Sequence, residues 1–226
     1  MTKDQKTQIN YVYRGEGTSF GQRLAWNVGQ VFSRILGMVL FRLTVRGLQH
    51  IPKTGPVLMV TNHQSFLDPW LIAIAPSRQF HFMARDSLFK NKAFGWIISL
   101  LNAYPVRRGA ADLTSIRMTI ERLEQGRLVN IFPEGTRSTD GSIGKVAPGL
   151  TLIVNRCKID VPIVPAVIDG AFEAWPRNKK FPRPKKIRIV YGEPILPATY
   201  RAMKPDELAE FIRNTFIALQ GQLRGQ

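Results

Sequence analysis

A histidine and an aspartate, His63 and Asp68, lie five residues apart in the segment NHQSFLDP (62–69). Residues five apart on a continuous helix point about 140° away from each other, so these side chains can meet only across a turn. A carboxylate bonded to one imidazole nitrogen fixes the tautomer and leaves the other nitrogen as a base near neutral pH. The pair predicts general-base chemistry, the orienting half of a catalytic triad. Taken singly, Asp68 is equally explained as the cap of a helix opening at Pro69, and His63 as a loop histidine.

The segment FPEGTRS (132–138) predicts an anion-binding turn. Pro133 and Gly135 favour a turn at the end of a strand-like run. This turn can present the Thr136 hydroxyl and Arg137, whose guanidinium fork suits phosphate geometry. The alternative is a solvated turn in which Glu134 and Arg137 pair with each other.

Two further segments carry weaker signals. YPVRRG (104–109) reads as a short extended piece or basic turn that contains Arg107 and Arg108. In VPIVP (161–165) two prolines interrupt an apolar run, which indicates an edge strand or a bulge, because proline donates no ladder hydrogen bond. The alternative interpretation of this segment is ordinary core.

The inventory of reactive side chains suits acyl transfer from a thioester to a hydroxyl. That reaction needs a base and donors for the developing oxyanion, but no covalent nucleophile. Cys157 follows an apolar run and is interpreted as a buried core residue. Ser65 lacks the flanking glycines of the sharp turn that presents a nucleophilic serine. His50, His63 and His81 match no metal-binding spacing, so we expect neither a metal nor a cofactor.

The elements that must position these residues alternate between strands and helices. Apolar, β-branched runs predict strands at 57–61, 80–84, 128–132, 163–168 and 187–191. Periodic apolar positions predict helices over 20–39, from Leu113 to Leu123, and from Pro205 onward, the last one burying Leu208, Phe211, Ile212, Phe216 and Leu219. This order predicts an α/β fold with a mixed, mostly parallel sheet covered by helices, and functional residues at strand ends. We predict one domain over 1–226.

Charge indicates an anionic partner. Lys and Arg total 32 against 16 Asp and Glu, a formal net charge of +16. Seven basic residues and no acid lie between Arg177 and Arg188, a run that could dock on an acidic bilayer or form a solvated loop. The amphipathic segment 18–42 either packs on the core or lies in a membrane interface. Nucleic acid is not expected, since only Phe181 supplies an aromatic residue within the basic run.

In order, NHQSFLD, YPVRRG, FPEGTRS and VPIVP resemble the four motif blocks of the glycerolipid acyltransferases, specifically the 1-acylglycerol-3-phosphate (lysophosphatidic acid) acyltransferases. The resemblance implies that His63 is the catalytic base and that Asp68 orients it. It implies a site for the acceptor phosphate formed by Arg108, Arg107, Glu134, Gly135, Thr136 and Arg137. Either of the two arginines 107 and 108 could make the contact. Val161, Pro162, Ile163 and Pro165 would be acyl-chain or structural residues.

The resemblance also implies an activity and its partners. The acyl donor would be acyl-CoA or acyl carrier protein, the acceptor 1-acylglycerol 3-phosphate, and the product phosphatidic acid. We expect the protein on the cytoplasmic face of a membrane as a monotopic or peripheral protein, in contact with an anionic membrane surface. Other acceptors remain open, including another lysophospholipid, glycerol 3-phosphate or an amino-acid lipid. A basic, non-catalytic membrane-binding or nucleic-acid-binding protein is the alternative of another class.

Overall fold

A computed structural model describes residues 20–100, 102–106 and 113–225 of the chain. The described residues form one seven-stranded sheet, with strands β1 Thr44–Arg46, β2 Val57–Thr61, β3 Phe80–Arg85, β4 Ala103–Val106, β5 Leu128–Ile131, β6 Ile163–Asp169 and β7 Arg188–Tyr191. The helices are α1 Phe20–Phe41, α2 Asp68–Ile74, α3 Lys92–Leu100, α4 Leu113–Glu124, α5 Gly149–Arg156, α6 Ala171–Ala174, α7 Pro197–Tyr200 and α8 Pro205–Arg224. Two short 3-10 helices lie at Leu48–His50 and Asp86–Phe89.

The sheet is mixed and mostly parallel, which confirms the predicted fold class. Its strand order is β1-β7-β6-β2-β5-β3-β4, and only the β6–β7 pair is antiparallel among the pairs described. Strands β2, β5 and β6 are buried along their whole length. Because β2 is parallel to both β5 and β6, the carboxyl ends of these three strands meet at one edge of the sheet.

Apolar layers cover both faces of the sheet. Leu58 and Val60 of β2 face a core filled from α4, α5 and α8, whereas Val57 and Met59 face a second core filled from α2 and the end of α1. The alternation along β2 follows from the two-residue period of a strand with helices on both sides. Helix α8 begins at Pro205 as predicted, but Phe211 is 39% exposed rather than buried.

The segment VPIVP leads into an interior strand, so its interpretation as an edge strand is wrong, and the irregularity beside its last proline lies on the partner side. Strand β6 has β2 on one side and β7 on the other. Between the pairs Ala166–Tyr191 and Ile163–Ile195, one more residue lies on the β7 side than on β6, which is the pattern of a β-bulge. Pro165 sits at this irregularity, where its carbonyl accepts from Gly192 N–H at 2.8 Å and a missing ladder donor is tolerated.

Helix α1 turns its polar residues toward the protein. The Gln30 side chain donates to the carbonyls of Ala73 and Pro76, and Arg34 donates to the carbonyl of Ile74 at 2.7 Å. These contacts satisfy carbonyls that the end of α2 leaves free. The opposite, apolar side is solvent-exposed, and includes Val28, Val31, Phe32, Ile35, Met38 and Val39. Of the two interpretations left open for this segment, packing of the apolar face on the core does not hold for the described part of the helix.

Candidate active site

The loops that follow β2 and β5 carry the predicted catalytic and anion-binding residues, and they contact each other. Ser138 N–H donates to the carbonyl of His63 at 2.7 Å. The Gln64 amide donates to the carbonyl of Gly141 at 2.7 Å. The two segments therefore form one site at the carboxyl edge of the sheet, where ligands bind in open α/β folds.

His63 and Asp68 meet across a turn, as their spacing predicted. His63 Nδ1–H donates to Asp68 Oδ2 at 2.7 Å, and because a carboxylate only accepts, this contact assigns the proton to Nδ1. The imidazole stacks on Phe132 with 4.1 Å between ring centroids. Among the described residues none hydrogen-bonds Nε2, and 18% of the side chain is exposed. Nε2 is thus an available base at the surface of the site.

Asp68 is fully buried and holds the turn as well as the imidazole. The same oxygen, Oδ2, accepts from the backbone N–H groups of Gln64 at 2.6 Å and Ser65 at 2.7 Å. It makes no capping hydrogen bond to α2, although the helix opens at this residue. The interpretation of Asp68 as a simple helix cap is therefore wrong, and its carboxylate is directed back to the histidine.

Asn62 anchors the start of this loop to the sheet. Its side-chain Nδ2–H donates to the Ile168 carbonyl at 2.9 Å, and its Oδ1 accepts from the Ile168 N–H at 2.8 Å. These two hydrogen bonds continue the contact between β2 and β6 beyond the last residue of β2. Ser65 Oγ–H donates to the carbonyl of Trp175 at 2.8 Å and is occupied there. Cys157 is buried in the core, and burial raises the pKa of its thiol to about 11. Neither residue is arranged as a nucleophile.

The turn after β5 sends its side chains in two directions. Gly135, with φ +68°, closes the turn through its N–H to the Phe132 carbonyl at 3.0 Å, a conformation that favours glycine. Gly135 and Thr136 are exposed. The Glu134 carboxylate turns inward to the backbone amides of His63 and Gly144, both at 3.0 Å, rather than to Arg137. Burial raises the pKa of Glu134, these two hydrogen bonds oppose that shift, and the nearby Asp68 charge adds to it.

Arg137 lies over an aromatic ring of the loop that carries His63. Its guanidinium carbon is 3.5 Å from the centroid of Phe66, a cation–π contact. Phe66 also contacts Trp175, with 5.4 Å between ring centroids. No sequence signal pointed to Phe66 or Trp175, because Phe66 is an unassigned position within its motif and Trp175 lies far along the chain.

The remaining predicted residues are distributed as follows. Arg107 and Arg108 lie outside the described residues. Val161 and Ile163 are fully buried in the core on the α5 and α8 side, and the Pro162 carbonyl accepts from Leu58 N–H at 3.1 Å. These positions support β6, and their contact with an acyl chain stays a prediction.

The basic run between Arg177 and Arg188 extends from the site to helix α1. Six of its seven basic residues are exposed, but Arg188 belongs to β7 and contacts buried Asp169 at 3.4 Å, so it is not part of the exposed patch. Arg183 N–H donates to the Ala174 carbonyl beside Trp175, and Ile187 N–H donates to the Phe41 carbonyl at the end of α1. We call residues 177–186 the basic loop.

Comparison with known proteins identifies the family. Residues 42–169 match the model of the family described as Acyltransferase, which covers more than half of the chain and includes every predicted site residue. The chain belongs to the Acyltransferase family. The resemblance inferred from the four motif blocks is thereby confirmed.

The relatives compared with this chain share the name 1-acyl-sn-glycerol-3-phosphate acyltransferase. Over 172 residues the chain is 26% identical to a chloroplast 1-acyl-sn-glycerol-3-phosphate acyltransferase of Arabidopsis thaliana, covering 74% of this chain and 48% of that protein. It is 28% identical over 160 residues to a 1-acyl-sn-glycerol-3-phosphate acyltransferase of Bacillus subtilis, covering 70% of this chain and 76% of that protein. It spans about half the length of the chloroplast relatives from Arabidopsis thaliana and Brassica napus.

A solved structure shares the fold of this acyltransferase. The crystal structure of PlsC, the 1-acyl-sn-glycerophosphate acyltransferase from Thermotoga maritima, superposes with a TM-score of 0.77 at 24% identity. The match covers 95% of this chain and 86% of that one. The mixed sheet with its covering helices is therefore the architecture of both proteins.

Proposed function

We propose that this acyltransferase moves a fatty acyl group from acyl-CoA or acyl carrier protein to the free hydroxyl of 1-acylglycerol 3-phosphate, giving phosphatidic acid. The observation that carries the proposal is the buried Asp68 carboxylate bonded to His63 Nδ1, which leaves Nε2 unpaired among the described residues, in a loop whose Phe66 contacts Arg137. The relatives named 1-acyl-sn-glycerol-3-phosphate acyltransferase support the choice of acceptor.

In this mechanism His63 acts as the general base. Nε2 takes the proton of the acceptor hydroxyl as its oxygen attacks the thioester carbonyl carbon, and the carbonyl becomes an oxyanion. Collapse of this intermediate breaks the carbon–sulfur bond, and the imidazolium returns the proton to the departing thiolate. The buried Asp68 charge stabilises the imidazolium and holds the ring in the productive tautomer.

The acceptor phosphate would bind at Arg137, with Arg107 or Arg108 as a second contact. A guanidinium fork can bond two phosphate oxygens at once, and hydrogen bonds to a charged group contribute about 1.5 to 3 kcal/mol each. Arg137 lies over Phe66, which belongs to the same loop as His63, so the phosphate would bind near the base.

The protein would reach its lipid substrate from one membrane surface. The exposed apolar side of α1 suits an interfacial helix, and the basic loop next to its end suits anionic lipid headgroups. Among the described residues, no helix has the length and apolarity needed to cross a membrane. We therefore propose monotopic or peripheral attachment at the cytoplasmic face, through α1 and the basic loop together.

An acyl-transfer assay tests the proposal. Purified protein is offered 1-acylglycerol 3-phosphate, another lysophospholipid, glycerol 3-phosphate and an amino-acid lipid, each with acyl-CoA and with acyl carrier protein. We expect preference for 1-acylglycerol 3-phosphate, and a loss of about 100-fold or more in kcat for His63→Ala. Preference for another acceptor would change the proposed substrate. Normal turnover by a folded His63→Ala variant would refute the role of His63 as the base.

A further inference from the structure

Glu134 lies in the motif whose arginine is assigned to the acceptor phosphate, yet its side chain turns away from the open site. One carboxylate oxygen, Oε1, accepts from the backbone N–H of His63 at 3.0 Å. The other, Oε2, accepts from the backbone N–H of Gly144 at 3.0 Å. The carboxylate therefore joins the loop after β2, the turn after β5 and the segment that leads to α5.

A carboxylate in this position is a poor partner for a phosphate. Both of its oxygens already accept hydrogen bonds, and it adds negative charge near the buried Asp68. Like charges in a partly buried site repel strongly, so a phosphate dianion would gain nothing from this contact. Arg137, three residues further along, is directed instead onto Phe66.

We propose that Glu134 is a positioning residue that fixes the backbone of His63, and with it the location of Nε2, rather than a contact to the acceptor. The inference deepens the proposed function, since it assumes that His63 is the base. Asp68 fixes the ring through Nδ1, and Glu134 fixes the same residue through its backbone N–H. Two anchors on one residue restrict both the orientation and the placement of the base, and a misplacement of about 1 Å can lower turnover about 100-fold.

The lack of a side chain at Gly144 leaves room for this contact. A Cβ added to Gly144 would lie 2.5 Å from Glu134 Oε2, closer than carbon and oxygen can approach, and 3.3 Å from its Cδ, a tight contact. An alanine at position 144 would therefore push the carboxylate off the amide without altering His63, Asp68 or Arg137. A Cβ added to Gly149, in the same segment, meets nothing within 4 Å, so Gly149→Ala is a matched control.

The experiment measures kcat, both KM values and thermal unfolding for Glu134→Gln, Glu134→Ala, Gly144→Ala and Gly149→Ala. We expect Glu134→Ala and Gly144→Ala to lower kcat by about 10-fold or more, with both KM values within about 2-fold of the parent. Glu134→Gln keeps one oxygen for one of the two amides, so its loss should be smaller than that of Glu134→Ala. Gly149→Ala should behave as the parent.

A second readout needs no substrate. The ring nitrogens of His63, followed by NMR with isotope-labelled histidine, should shift in Glu134→Gln and Gly144→Ala but not in Gly149→Ala. A raised acceptor KM with an unchanged kcat and unchanged chemical shifts of the ring nitrogens would overturn the inference. Glu134 would then be assigned to binding of the acceptor phosphate. If the protein transfers no acyl group at all, the proposed function fails, and the NMR comparison alone still decides whether Glu134 positions His63.

Discussion

The contact between Arg137 and Phe66 predicts that an uncharged aromatic residue controls binding of the acceptor. Phe66→Leu keeps an apolar side chain but removes the π face on which the guanidinium lies at 3.5 Å. A cation–π contact contributes about 0.5 to 1 kcal/mol at an exposed site and about 2 kcal/mol when desolvated. Phe66 is 53% exposed, so we take about 1 kcal/mol, which corresponds to a rise of about fivefold in acceptor KM.

The assay is a double-mutant cycle on steady-state kinetics. Acceptor KM, donor KM and kcat are measured for Phe66→Leu, Arg137→Ala and the double variant, with Phe66→Tyr as the control that keeps a ring face. If Phe66 acts through Arg137, Phe66→Leu should raise acceptor KM in the parent but have little effect once Arg137 is alanine. An equal effect of Phe66→Leu in both backgrounds would refute the coupling, and a change confined to donor KM would place the donor's phosphates at this arginine.

Three further outcomes follow from the site, the core and helix α1. Asp68→Asn retains an oxygen for the imidazole but removes the charge that stabilises its protonated form, so kcat should fall about 10-fold or more with acceptor KM nearly unchanged; near-parent kcat would contradict this. Burial, aided by nearby arginine charges, lowers the pKa of His81 to about 3, whereas an unfolded histidine titrates near 6.5. The unfolded chain therefore binds a proton that the folded chain does not, and the free energy of unfolding should drop as pH falls below about 6.5, by up to about 1.4 kcal/mol per pH unit, a dependence that urea titrations should find reduced in His81→Leu. Phe32→Asp, on the exposed side of α1, should weaken co-sedimentation with anionic vesicles at every salt concentration, and unchanged sedimentation would remove α1 from the membrane contact.

The strands that position the catalytic base could be predicted from sequence because they are buried on both faces. Apolar runs that contain β-branched residues mark β2 and β6, and their predicted limits agree with the structure to within one residue. Strand β1 was not predicted, since three residues give no periodic signal, and β4 was predicted only as a short extended piece or basic turn, because Pro105 interrupts it. The prolines of VPIVP left an edge strand and a bulge both open, because either one removes the need for a ladder donor at Pro165.

The candidate site could likewise be predicted only in part from the sequence. His63 and Asp68 were predictable because both lie in one short segment at a strand end, where their residue types restrict the chemistry. The contacts that surround them are made by Gly144, Trp175 and Phe66, and depend on which loops the sheet brings together. Strand order in a mixed sheet is a property of the whole chain, so no local pattern could have paired Glu134 with the backbone N–H of His63.

One continuous segment connects the proposed membrane contact to the proposed phosphate site. Its first residue, Trp175, packs against Phe66, and Phe66 lies under Arg137. Its last, Ile187, donates to the Phe41 carbonyl where α1 ends. Between them the basic loop presents only positive side chains and Phe181 among its charged and aromatic residues. With α1 lying among acyl chains, the basic loop would lie at the level of the lipid phosphates, and Arg137 beside it would meet the acceptor phosphate at that same depth. The acceptor could then bind while its acyl chain stays in the leaflet.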